Sequence, residues 1–211
     1  MSHPDENLSR PNPFSTRFIR PGAIPYRFPS GHSADDLVAE LSSLQWRGQI
    51  VGPHGSGKST LLASLLEPLR RAGRPAWRVC LRDRQRRMPS DWAPHAARAG
   101  ANQILNDGYE QLSFWSRVWV KTHCRRRGWG LLVTAHDEAG FPTLFRTVAD
   151  LRVAQAVVDL LLSPGDPSLD PAIVAEHFAA AGGNLREMLF GLYDFHERQQ
   201  RSKIVPREVA P

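Results

Sequence analysis

The stretch GPHGSGKST, Gly52–Thr60, constrains this chain more than any other. Gly52, Gly57, Lys58 and Ser59 satisfy the pattern G-x-x-x-x-G-K-[ST]. The run RGQIVG before it suits a buried strand. The run STLLASLLEPLRRAG after it places Leu61, Leu62, Leu65, Leu66 and Leu69 at helical spacing, with Arg70 and Arg71 in the last turn and Gly73 as the stop. Strand, glycine turn and helix together predict a phosphate-binding loop. Glycines let the backbone curl so that successive N–H groups point inward at anionic oxygens, and the helix N-terminus adds partial positive charge.

Gly52, Pro53, His54, Gly55, Ser56, Gly57, Lys58, Ser59 and Thr60 are the expected nucleotide-binding residues. Lys58 suits the terminal phosphates, and the Ser59 hydroxyl suits Mg²⁺. The chain has 27 Lys+Arg, of which only Lys58, Lys121 and Lys203 are lysine. One of the three stands where a compact ammonium serves better than a planar guanidinium. ATP and Mg²⁺ are therefore the expected ligands.

At 211 residues and 41% hydrophobic content, the chain suits one domain with a small appendage. No apolar run approaches the ~20 residues of a membrane helix. The start, MSHPDENLSR, has neither the basic nor the apolar segment of a signal peptide. Cys80 and Cys124, the only cysteines, are far apart in sequence, which argues against a metal cluster and for a reducing cytoplasm. A net charge of +6 and a pI of about 10.0 favour acidic partners, nucleic acid among them.

Residues 1–32 are proline-rich, yet Phe14, Phe18, Ile19, Ile24, Tyr26 and Phe28 are too apolar for a solvated linker. They predict an extended arm packed on the domain, either walling a base pocket or covering an apolar patch. SADDLVAELSSLQW predicts a helix capped by Ser33, with Leu37, Leu41 and Leu44 as its stripe. Further strands are predicted at 75–82, 101–107, 129–136 and 142–148, with a short helix near 91–98. A longer helix is predicted over 110–128, with Leu112, Trp115, Val118, Trp119 and Thr122 on or near one face. From about 150 onward the pattern is helical only, over 150–162, 170–181 and 184–200. Alternating strands and helices imply a parallel sheet covered on both faces. The expected fold is α/β, three-layer α/β/α, with a mainly parallel five-stranded sheet and a short C-terminal helical lid. The arm would span 1–32, the core 33–150 and the lid and tail 151–211.

Three further segments carry candidate chemistry. In QILNDGYEQL, Asp107 ends an apolar strand, where a carboxylate can hold Mg²⁺ opposite Ser59. Glu110 is the candidate base that orients and deprotonates water, and Asp83 is its rival. In LLVTAHDEAG, Thr134 and His136 close a buried strand and are candidate sensors of the terminal phosphate; the run looks like the switch-histidine segment of ATP-binding cassettes and like the sensor 1 strand of AAA+ proteins. In AAAGGNLREMLF, Gly182 and Gly183 end one helix, Asn184 caps the next and Glu187 completes a capping box. Arg186 sits in a first turn where its charge opposes the helix dipole.

From about Gln49 to Tyr193, through GPHGSGKST, ILNDGYE, LLVTAH and GGNLRE, the chain resembles the AAA+ family of P-loop ATPases. The resemblance implies that Lys58 and Ser59 hold phosphate and metal, that Asp107 holds the metal, that Thr134 or His136 senses, and that Arg186 reaches phosphate from a lid helix. The chain departs from the pattern in having no Asp-Glu pair after the third strand and only a short lid. No arginine finger is obvious; Arg146 and the Arg125–Arg127 cluster are candidates. A transporter cassette fits less well, because no L-S-G-G-Q segment is present.

The reading favoured here is an ATPase that drives a switch or motor step on a protein or nucleic-acid partner, or within a homo-oligomer. A small-molecule kinase and a nucleotide-gated binding module with little turnover stay open. Strand order separates the first two: a sensor strand between the strands of Lys58 and Asp107 indicates the ATPase.

Overall fold

The computed structural model describes residues 11–29, 31–82, 84–162 and 169–204. After a helical turn α1 (Thr16–Ile19), the elements are α2 (Ala34–Ser43), β1 (Arg47–Val51), α3 (Lys58–Ser64), α4 (Leu66–Arg71), β2 (Ala76–Cys80), α5 (Trp92–Arg98) and β3 (Gln103–Asp107). A 3-10 turn (Tyr109–Gln111) leads into α6 (Phe114–Arg126), β4 (Gly130–Ala135), β5 (Thr143–Arg146), α7 (Leu151–Leu161), α8 (Pro171–Ala180) and α9 (Leu185–Ile204). These elements form two compact units. One is Pro25–Ala149; the other joins the described residues up to Ile24 with those from Asp150 onward.

The five strands of the first unit form one sheet in the order β2-β3-β4-β1-β5. Every pairing is parallel. Parallel strands must be joined by crossovers, and the helices that make them bury both sheet faces. Side chains alternate between those faces. Ile104, Leu131 and Val133 pack with Trp92, Ala96, Val120 and Cys124 from α5 and α6. Ile50, Leu105, Leu132 and Leu144 pack with Leu37, Leu41, Leu61, Leu62 and Leu69 from α2, α3 and α4. The result is a three-layer α/β/α sandwich with a core on each side of the sheet.

Two local features differ from the sequence expectation. The apolar run after the phosphate loop makes two helices, with Leu65 as the shared cap. Pro68 lacks the N–H that would bond the carbonyl of Ser64, and its ring crowds that carbonyl, so the helix breaks there. The helix expected from residue 110 begins only at Phe114, where the Ser113 hydroxyl accepts from Ser116 N at 3.4 Å. The face of α6 that carries Trp115, Val118, Trp119 and Thr122 is its solvent side; Val120 and Cys124 face the core.

The predicted arm divides at Ile24. Tyr26 and Phe28 pack on the first unit, and Tyr26 N donates to Ser64 Oγ at 3.1 Å. Residues 11–24 are not uniformly extended, since they include α1, and they belong with α7–α9. There Phe14 is fully buried, and Asn12 Nδ2 donates to Tyr193 O at 3.1 Å and to Glu197 Oε1 at 2.9 Å. At the start of α9, Asn184 Oδ1 accepts from Arg186 N at 3.0 Å and from Glu187 N at 3.3 Å. Asn184 N itself bonds Ala181 O, so only one half of the expected capping box forms.

Candidate functional site

Because all five strands run the same way, their C-terminal ends share one edge of the sheet. The loop 52–57 follows β1 on that edge, Asp107 ends β3, and His136 follows β4. The crevice at such an edge is where open α/β sheets take ligands. Beside the loop lies a cleft of about 670 Å³, lined in part by Gly52, His54, His136, Arg146 and Thr147. That volume suits a small-molecule ligand.

The loop requires two of its glycines. Gly57 has φ +90°, in the left-handed region. A Cβ on Gly52 would overlap Thr147 Oγ1 and lie 2.5 Å from Thr147 O and 2.9 Å from Ser56 Oγ. Thr147 is the reason for this crowding: its hydroxyl shares a 2.7 Å hydrogen bond with Ser56 Oγ and so pins the loop from the end of β5. A Gly52→Ala variant should lose about 2 kcal/mol, the scale of overpacking. For a chain of this length that is roughly 4–8 °C in melting temperature. An unchanged calorimetric melt would show that the loop has room to spare.

Lys58 is buried, and its Nζ donates to Gly52 O at 2.6 Å and to Pro53 O at 2.7 Å. It lies 3.4 Å from His136 Nδ1. On the opposite side of that ring, His136 Nε2 is 3.1 Å from Glu110 Oε1. An ammonium on one nitrogen and a carboxylate on the other select the neutral tautomer with its proton on Nε2. Burial and the Lys58 charge hold the His136 pKa below its ordinary value, against the upward pull of Glu110. His54 packs on the same ring, with centroids 3.6 Å apart.

Asp107 is the second hub. Its Oδ1 accepts from Ser59 Oγ at 3.0 Å and from Thr134 Oγ1 at 2.9 Å. Thr134 Oγ1 in turn accepts from Gly108 N at 2.9 Å, which fixes the turn after β3. Asp107 Oδ2 is paired with Arg78 at 2.6 Å, and both side chains are mostly buried, 13% and 18% exposed. Ser59 and Asp107 together offer a hydroxyl and a carboxylate oxygen beside the phosphate loop. Mg²⁺ asks little more of a protein, since phosphates and water complete its shell. Among the described residues no cluster of three or more His, Cys, Asp or Glu would hold a metal unaided.

The structure thus brings Lys58, Ser59, Asp107, Glu110, Thr134 and His136 together within the first unit. Arg186 lies in the second unit, exposed in the first turn of α9. Arg125, Arg126 and Arg127 are exposed at the end of α6, and Arg146 pairs with Glu138 at 2.8 Å. The rival base Asp83 lies outside the described residues. Sequence reasoning missed Arg78 and Thr147. An arginine inside the apolar strand AWRVC was the one available sign of Arg78, because a buried guanidinium needs an anion. Nothing local marks Thr147, whose partner is 91 residues away.

No family model matches the chain, and no curated protein is similar to it in sequence. Solved structures are similar in fold. Domain III of the Thermotoga maritima replication initiation protein DnaA matches with a TM-score of 0.56 at 13% identity, over 88% of this chain and 90% of that one. The replication initiator DnaA bound to AMPPCP and single-stranded DNA matches with a TM-score of 0.53 at 14% identity, over 84% of this chain and 67% of that one. A DNA replication initiation factor matches with a TM-score of 0.52 at 13% identity over 80% of this chain, which spans 63% of that protein.

Proposed function

From an AAA+-like P-loop NTPase fold as the premise, we propose that this chain binds ATP with Mg²⁺ and hydrolyses it to drive a conformational step on a partner. The observation that carries the reading is the position of β4 between β1 and β3, with Thr134 and Ser59 both bonded to Asp107 Oδ1. That order separates the strands of Lys58 and Asp107 and argues against the kinase.

Each residue then has a task. Backbone N–H groups of residues 54–60 cradle phosphate oxygens, and Lys58 supplies positive charge to the terminal ones. Ser59 and Asp107 hold Mg²⁺, which when bound neutralises charge on the phosphates. Glu110 orients and deprotonates the attacking water. Thr134 holds Asp107 and the Gly108 turn in register. His136 connects Lys58 with Glu110 and so links phosphate contact to the base. No helix among the described residues is long and apolar enough to cross a membrane. A protein, a nucleic acid or further copies of the chain would receive the conformational step. Steady-state phosphate release from Mg-ATP tests the reading. No release with any partner, while ATP still binds, would favour the nucleotide-gated module.

Arg186 belongs to the same proposal. Its charge opposes the dipole of α9, and a triphosphate would supply the anion that compensates. Hydrogen exchange in residues 170–200 should slow with Mg-ATP and much less with Mg-ADP. Arg186→Ala should remove that difference and keep the fold. Equal exchange with ATP, with ADP and without nucleotide would reduce Arg186 to a solvated residue after a capped helix start.

A further inference from the structure

The solvent face of α6 has no role in the site just described. Phe114, Trp115 and Trp119 are 69%, 77% and 50% exposed, and Val118 is exposed beside them. Thr122, Arg125 and Arg126 continue the same face. At 100° per residue these positions fall within an arc of about 140°. The ring of Trp119 continues into His123, at 5.1 Å and 35° between planes. Residues 113–129 hold Arg117, Lys121, Arg125, Arg126 and Arg127 and not one Asp or Glu.

A second basic element adjoins the start of this helix. The segment RDRQRR, 82–87, carries four arginines against one aspartate. Its Arg84, Arg86 and Arg87 are exposed, and Arg86 O accepts from Ser113 N at 3.0 Å. Between this segment and α6 runs a cleft of about 530 Å³, lined by Arg84, Arg86, Arg117 and Phe114, with Glu110 also on its wall.

We propose that this surface binds single-stranded nucleic acid, its bases stacking on the α6 aromatics and its phosphates tracking the arginines of 84–87 and 125–127. The proposal builds on the partner-directed cycle above and names the partner. Exposed rings beside a cationic groove are the two elements that sequence-tolerant single-strand binding requires. Trp115 and Trp119 are one helical turn apart, about 6 Å along the axis, so both rings stand on the same face of α6. A second copy of the chain fits poorly, because an isologous pair would bring two acid-free cationic faces together. A lipid surface fits poorly too, because Thr122, Arg125 and Arg126 interrupt the apolar face that interfacial helices present. The shared wall at Glu110 places the strand beside the candidate base.

Fluorescence anisotropy with a labelled 20-nucleotide oligothymidylate tests this. The wild type should bind, with affinity falling as salt rises, and should prefer the single strand to a duplex of equal length. Trp115→Ala with Trp119→Ala should weaken binding at least tenfold. Trp119 also packs edge-on against buried Trp92, at 5.9 Å. Trp115→Ala alone, at the most exposed of these rings, should still weaken binding several-fold with an unchanged melt. Arg84→Gln with Arg86→Gln should lower the salt slope. Lys58→Ala should bind the strand as the wild type does, so failure of the nucleotide reading and failure of this one are distinguishable. Equal affinity for duplex and strand, indifferent to the tryptophans, would overturn the proposal in favour of plain charge attraction. Tryptophan-dependent self-association or binding to phosphatidylserine vesicles, without strand binding, would overturn it in favour of a copy interface or a membrane.

Discussion

A Glu110→Gln variant keeps its affinity for ATP and loses turnover by roughly 100-fold or more, the usual size of a general-base effect. The side chain is well placed for that role. Oε1 takes the hydrogen bond from His136 Nε2, and Oε2 is buried with no hydrogen-bond partner among the described residues. Glutamine reproduces the shape but cannot take up a proton. The pH profile follows from His136. Its folded pKa is depressed by burial and by Lys58, so the folded state resists protonation. The associated stability is fully present above the unfolded value of about 6.5 and declines as pH falls below it. Turnover should therefore be flat from pH 8 to about 6.5 and fall on the acid side, as protonation removes the Nδ1 acceptor from Lys58. Phosphate-release assays check both points. Normal turnover by Glu110→Gln together with a large loss in Asp83→Asn would transfer the base to Asp83.

Lys58→Ala weakens Mg-ATP binding by tenfold or more, about 1.4 kcal/mol. Lys58 Nζ holds two carbonyls of its own loop, so its removal costs the cradle a brace as well as a charge. Lys58→Arg should fail as well, because a planar fork cannot take the place of a buried ammonium with several short contacts. Isothermal calorimetry on protein of unchanged melting temperature decides the matter. Affinity equal to that of the wild type would remove the loop from the phosphate site.

The parts legible in the sequence are those set by short-range rules. The loop declares itself through glycine and lysine spacing, and the sheet through strands that alternate with helices. Ser59, Asp107 and Thr134 each stand at a strand end or helix start, where one edge of a parallel sheet must collect them. What stayed hidden depends on long-range packing. Thr147 is needed because the backbone of β5 returns against Gly52. Arg78 is needed because β2 lies beside β3. The α6 aromatics were legible as one face of a helix, but periodicity states only that they share a side. Which side meets water is decided by the core on the opposite face, where Val120 and Cys124 pack with Trp92 and Trp129.

The strand order also bears on how the chain is made. β1 is complete at Val51, yet its neighbours in the sheet are β4 and β5, with Val51 beside Ala135 on one side and Arg146 on the other. Both partners lie more than eighty residues downstream. During synthesis the phosphate loop therefore hangs from a strand with two unpaired edges until nearly the whole first unit has emerged. β2 and β3 can pair with each other long before that. Such late closure of a central strand is slow, and it exposes apolar edges to other chains in the interval. A chain ending before Thr143 would keep every motif of the loop and still present β1 with one bare edge. In such a truncated chain, aggregation should outrun nucleotide binding.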